Sequence, residues 1–281
     1  MNKHSIELES IISFCNLTLD NIQLHNHPDT IYKPINHILN VKGKGVRSHL
    51  ACISYSMLNG RLSKIKKLVL AIETFHTFTL IHDDIMDNAL LRRGSPTINN
   101  KWSNNQALLS GDVLLMHAYD YLLELPFRQI DIIKIVKLFN TTAIKICKGQ
   151  QLDLDMQQLK IVSLQDYFSM IDLKTSELIV FSLIAPYLLC QTNISLNLVT
   201  EIGYNLGRLF QIQDDYLDLY GEQKKTGKTL GGDVKEGKKT FLYIVALEHL
   251  RGAEKEELIE IYNSSPSLSN ETKKSKFNQK K

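Results

Sequence analysis

Asp83-Asp84-Ile85-Met86-Asp87 closes an apolar run that begins at Thr79-Leu80-Ile81-His82, and its spacing decides how the whole chain is read. On a helix, residues four apart share a face, so Asp83 and Asp87 point the same way. The pattern returns as Asp214-Asp215-Tyr216-Leu217-Asp218. Acidic residues on a helix ordinarily mark a solvated face. Here Leu80, Ile81, Ile85, Ile212 and Leu217 argue for partial burial, where unpaired carboxylates are costly. Carboxylates facing one cavity repel one another unless cations stand between them. Mg²⁺ takes oxygen ligands, typically a few carboxylates together with phosphates. The two blocks therefore imply a pair of helices around a Mg²⁺-filled cleft suited to a diphosphate.

Working outward, apolar residues recur at helical spacing: Leu68, Ile72, Phe75 and Thr79; Leu108, Leu115 and Leu122; Ile202, Leu206, Leu209 and Ile212. Gly and Pro fall mostly between these segments, and no alternating strand pattern appears. The expectation is an all-α protein, a single-domain bundle of roughly ten helices around a central cavity. Residues 1–262 form that domain. From 263 to 281 the chain turns polar and Lys-rich, without apolar periodicity, and reads as a disordered tail.

Composition excludes several classes. A net charge of +3 over 281 residues gives no case for nucleic acid. Cys15, Cys52, Cys147 and Cys190 are far apart in sequence and read as reduced thiols of a cytoplasmic protein. The polar N-terminus is unlike a signal peptide. The longest apolar stretch, Ile179 to Cys190, is shorter than the roughly 20 residues of a membrane span.

Cations accompany the acid blocks. Arg92-Arg93-Gly94 follows the first, and paired guanidinium groups suit phosphate oxygens. Gly43-Lys44-Gly45-Val46-Arg47 lies upstream, and Glu73-Thr74-Phe75-His76 precedes the first block. Gly149-Gln150-Gln151-Leu152-Asp153 and Lys174-Thr175-Ser176 occupy the middle. Phe210-Gln211, Gly227-Lys228 and Gly231-Gly232-Asp233 through Lys238-Lys239-Thr240 come late.

This ordered set resembles the trans-isoprenyl diphosphate synthases, the head-to-tail prenyltransferases, over about residues 40–250. The resemblance implies an isoprenoid synthase-like fold and Mg²⁺-dependent condensation of isopentenyl diphosphate with an allylic diphosphate (dimethylallyl, geranyl or farnesyl). It implies three Mg²⁺ ions, with Asp83, Asp87 and Asp214 as direct ligands and Asp84, Asp215 and Asp218 behind them. Arg92, Lys174, Lys228 and Lys238 grip the allylic diphosphate, and Thr175 and Gln211 face the carbocation. Lys44, Arg47, His76 and Arg93 take isopentenyl diphosphate. His82 hydrogen-bonds a neighbouring carboxylate. Lys239 reads as a solvated neighbour.

Phe78 and Thr79, five and four residues before the first aspartate, correspond to the family's pocket floor. They imply a C20 product, geranylgeranyl diphosphate, with C15 farnesyl diphosphate as the alternative. At 3.6 residues per turn, Thr79 shares the Asp83 face but Phe78 points away, which leaves core packing open for Phe78. The family also implies a homodimer. Two departures stand out: Ser48 replaces a frequent proline after the Gly-Lys-x-x-Arg turn, and the final helices are apparently truncated. A partner subunit of reduced activity is therefore an alternative. A terpene cyclase would lack the second all-aspartate block and the isopentenyl site. A His-Asp metal phosphohydrolase would give that block no role.

Overall fold

The computed structural model describes residues 3–192, 194–221 and 231–263. They are predominantly helical, as the periodicity predicts, and fall into two compact units. Unit 1 comprises the described residues within 1–142 and 178–203. Unit 2 comprises those within 143–177 and 204–263.

In unit 1, α1 (Lys3–Asp20), α2 (Asp29–Leu39) and α3 (Val46–Met57) lead into α4 (Lys66–Met86). A two-residue hairpin follows, β1 (Leu91–Arg92) and β2 (Ser95–Pro96), then α5 (Ile98–Lys101) and α6 (Asn104–Leu123). The long helix α7 (Gln129–Gln157) gives unit 1 its first half. α4 is the spine. Leu68, Ile72 and Phe75 are fully or almost fully buried, and Phe75 stacks edge-on with Phe139, which in turn meets Phe181. Tyr119 also meets Phe139 edge-on, and edge-to-face contacts add to the burial of these four rings.

The anticipated face of α6 is corrected. Its buried residues are Ala107, Ser110, Gly111, Leu114, Ala118 and Leu122, while Leu108 is half exposed. Steps of seven drift by about 20° per heptad on a straight helix, and small residues let α6 approach α4 closely. The same correction applies to α10 (Asn197–Tyr220). Its buried positions are Gly203, Gly207 and Asp215, and Ile202 and Leu209 are exposed.

Unit 2 contains the second half of α7, α8 (Leu164–Ile171), a π-helical turn at Asp172–Ser176, and most of α10. It continues with α11 (Gly232–Glu236), α12 (Phe241–His249) and α13 (Gly252–Asn263). Its core gathers Met156, Tyr167, Met170, Tyr243, Leu247 and Leu258. α9 (Glu177–Leu189) begins at the unit boundary and runs on in unit 1.

All four cysteines are free thiols. Cys15 and Cys52, 37 positions apart in sequence, are both fully buried and neighbour each other where α1 packs on α3. Lys228 and the Lys-rich tail beyond residue 263 lie outside the described residues. No helix among the described residues is long and apolar enough to cross a membrane.

Candidate active site

The first acid block forms the last turn of α4, with Asp87 as its C-cap. Asp84 is buried and Asp83 is part-exposed. The reason is the hairpin. Arg93 and Gly94 carry φ of 51° and 78°, the pair of left-handed residues that a two-residue hairpin loop of matching twist requires. Gly94 meets that demand without strain. The loop returns Arg92 onto Asp84, with Nε donating to both carboxylate oxygens at 2.8 and 2.9 Å and Nη2 at 2.6 Å. Burial pushes the Asp84 carboxyl up and Arg92 opposes it. Asp84 is thus a structural anchor for Arg92, and Arg92 also stands 3.7 Å from Asp83.

Arg93 turns the other way. Its Nη1 donates to the Val41 carbonyl at 3.1 Å, and its guanidinium lies directly over Gly43. Arg47 Nη1 donates to His76 Nε2 at 3.2 Å. The fold therefore brings Arg93 to the Gly43–Arg47 turn and Arg47 to His76. Lys44 lines a groove of ≈ 510 Å³ with Gly43, His49 and the apolar residues Leu8, Ile12 and Ile53. Burial, then the Arg47, Arg93 and Arg92 guanidinium groups, hold His76 well below the ordinary imidazole range, so it is a neutral acceptor.

Glu73, which opens the Glu73–His76 stretch, has a role that the sequence reading does not assign. It is half-buried among these cations, and desolvation raises its carboxyl against the pull of Arg93 and Arg47. The signal was its place one turn before His76. Ser48, where proline is frequent, donates toward the Val69 carbonyl and Glu73, both at 3.4 Å. A proline has no such donor.

His82 finds mainly a backbone partner, the Leu108 carbonyl at 3.2 Å, with Asp112 at 3.7 Å. That corrects the expected carboxylate. Phe78 is buried between Phe75 and His82, at ring distances of 5.4 and 4.7 Å. Thr79 donates to the His76 carbonyl.

The second block repeats the first in unit 2. Asp215 is buried, Asp214 exposed and Asp218 intermediate. Asp215 accepts from Gln211 Nε2 at 2.9 Å, Tyr167 hydroxyl at 2.8 Å and Phe241 N–H at 2.9 Å. Burial nevertheless raises its carboxyl. Gln211 in turn accepts from the Thr175 hydroxyl at 3.0 Å. So Asp215 orients Gln211 and Thr175 through one connected network. Tyr167 was also missed; nothing in its local sequence marks it.

Lys174 and Thr175 ride on the π-helical turn, a deviation common at functional sites. Gly149 explains how it is accommodated: a Cβ there would lie 2.3 Å from Lys174 N. Asp153 holds the Lys174 ammonium at 2.5 Å. Lys238 contacts Glu236 at 2.7 Å and Asp233 at 3.8 Å. Lys239 is corrected: it is buried, with its ammonium 5.2 Å from the Tyr243 ring and 5.8 Å from that of Tyr262.

Both blocks thus show one division of labour, with the second aspartate buried and bonded and the first and fifth nearer solvent. Residues 28–279 match the polyprenyl synthetase family. The chain belongs to that family. A short chain isoprenyl diphosphate synthase of Methanocaldococcus jannaschii is 33% identical over 234 residues, 83% of this chain and 71% of that one. The geranylgeranyl diphosphate synthase of Saccharolobus solfataricus is 34% identical over 259 residues, 91% of this chain and 77% of that one. A crystal structure of a geranylgeranyl pyrophosphate synthase superposes with a TM-score of 0.87 at 34% identity, covering 100% of this chain and 86% of that one. Like other members of the polyprenyl synthetase family, the chain is an all-α prenyltransferase.

Proposed function

We propose that this prenyltransferase condenses isopentenyl diphosphate with an allylic diphosphate to give geranylgeranyl diphosphate. The observation that carries the reading is the repeated acid block, one per unit, each with a buried anchoring aspartate and cations beside it. The C20 length rests on relatives such as the Saccharolobus solfataricus enzyme.

The donor set fits Mg²⁺. All the candidate ligands are carboxylates. Among the described residues no three His, Cys, Asp or Glu side chains converge to hold an ion. Mg²⁺ is usually held by one or two carboxylates plus substrate phosphates, so these residues suit ions that arrive with a diphosphate. Asp83, Asp87 and Asp214 would hold them, three in number, with Asp218 behind. When bound, the ions neutralise negative charge as the allylic carbon–oxygen bond breaks.

The protein's own groups do the rest. Arg92, Lys174, Lys228 and Lys238 supply positive charge to the leaving diphosphate. Thr175 and Gln211, held by Asp215, present their dipoles to the allylic cation. Lys44, Arg47, His76 and Arg93 hold isopentenyl diphosphate so that its double bond meets that cation. The proton then released goes to the departing diphosphate. Phe78 and Thr79 set the floor of the product pocket. The working form is a homodimer, supported by exposed Leu109, Met116 and Leu123 at seven-residue intervals along α6.

The test is incubation with Mg²⁺, labelled isopentenyl diphosphate, and dimethylallyl, geranyl or farnesyl diphosphate in turn, with the products sized. A discrete C20 band abolished by EDTA is the expected result. A C15 band overturns the length, and absence of any product from folded protein overturns the activity.

A further inference from the structure

The segment 231–241, which carries α11 and leads into α12, is held from two sides. On one side it is bonded to the second acid block. Gly231 N–H donates to the Asp218 carbonyl at 2.8 Å and Asp233 N–H to the Asp218 carboxylate at 3.2 Å. Phe241 N–H donates to Asp215 at 2.9 Å. Within the turn, Lys238 N–H closes onto the Asp233 carbonyl at 2.9 Å, and the Thr240 side chain caps α12.

On the other side stands the end of α13. Tyr262 is buried, and its ring stacks on that of Tyr243 at 4.2 Å. Its carbonyl oxygen sits so close to Gly237 that a Cβ there would come within 2.8 Å of it. Gly237 also has φ of 71°, a conformation glycine adopts freely. Lys239, in the next turn of chain, lays its ammonium against both tyrosine rings. A cation over two ring faces, out of water, is held more directionally than an apolar side chain would be.

We propose that Tyr262, acting with Lys239 and Tyr243, is a positioning residue for diphosphate capture. The end of α13 latches the 231–241 turn against the second acid block, so that Lys238, Asp215 and Asp218 stand in one arrangement before substrate arrives. This rests on the diphosphate role proposed above for Lys238 and that block. The latch touches no substrate. It works by removing the freedom that binding would otherwise have to restrict.

The chain of contacts is continuous. Tyr262 meets Gly237 and Tyr243. Lys238 follows Gly237 directly, and Phe241 reaches Asp215, which orients Gln211 and Thr175. Release of Tyr262 frees the turn at its middle while its ends stay attached. Affinity for the allylic diphosphate, to which Lys238 and the second acid block contribute, then falls, while the residues proposed for isopentenyl diphosphate, all in unit 1, are untouched.

The experiment uses the full chain and four variants: Tyr262→Ala, Lys239→Met, Tyr262→Phe and Lys239→Arg. Calorimetry measures Mg²⁺-dependent binding of inorganic diphosphate, and steady-state kinetics give KM separately for farnesyl and isopentenyl diphosphate. Tyr262→Ala and Lys239→Met are expected to weaken diphosphate binding and raise the farnesyl diphosphate KM about tenfold, equivalent to ~1.4 kcal/mol. The isopentenyl diphosphate KM stays within about twofold. Tyr262→Phe, which keeps the ring, and Lys239→Arg, which keeps the cation, restore the allylic KM. If Tyr262→Ala does not fold, Lys239→Met carries the test, because it preserves the buried stem. An unmoved allylic KM in an active protein overturns the latch alone, as does a rise of both KM values together. A wild-type chain without product overturns the functional reading and the latch with it.

Discussion

Asp84 and Asp83 are neighbours with opposite duties. Asp84 is a buried carboxylate in a bidentate pair with Arg92, and deleting one partner of such a pair costs about 3–5 kcal/mol. Asp84→Ala is therefore expected to lower the melting temperature whether or not ligand is present. Asp83→Asn is expected to leave the melt of the free protein nearly unchanged and to abolish the rise that Mg²⁺ with inorganic diphosphate produces. Thermal melts of both variants with and without those ligands check this. Equal losses in the free proteins would sink the distinction. The i, i+1, i+4 spacing announced an acidic helix face. It did not reveal which aspartate turns inward, because that depends on where the hairpin returns Arg92.

Between elements, α7 meets the π-helical turn backbone to backbone at Gly149. Gly149→Ala forces a methyl against the Lys174 backbone. It is expected to cost about 1–3 kcal/mol, as overpacking generally does, and to lower turnover by displacing Lys174 and Thr175. Urea unfolding and kcat measure the two effects, and wild-type values for both would defeat the account.

The docking of α13 gives a pH signature. Burial pushes the Lys239 ammonium from 10.5 down to about 8. Between those values the unfolded chain keeps a proton that the folded chain has released. Stability contributed by this group therefore rises with pH through that window. Below about pH 8 the penalty is constant. Lys239→Met is expected to flatten this part of the stability–pH curve relative to wild type. Parallel curves from denaturant titrations between pH 7 and 10.5 would contradict it.

For the whole molecule, Leu109, Met116 and Leu123 leave an apolar line on α6 that its own unit does not cover. Contiguous exposed apolar surface of this kind marks an interaction face. Replacing Leu109 and Met116 with Glu is expected to shift a dimer to monomer in sedimentation velocity. A wild-type monomer, or a double variant that stays dimeric, would remove α6 from the interface.

What the amino-acid order by itself determined was substantial. The apolar spacing was enough for an all-α fold, and the ordered acid blocks and cations were enough for the family, because both are local patterns carried by helical periodicity and charge. Tertiary structure decided what local pattern leaves open. It chose the glycine face of α10 over its leucines, since close approach of α10 rewards the absence of a side chain more than hydrophobicity. It set Cys15 beside Cys52, put Glu73 under the Arg47 and Arg93 charges, and brought Tyr262 against Lys239. In each case the deciding partner lies far along the chain, and a buried polar group is defined by the neighbours that satisfy it.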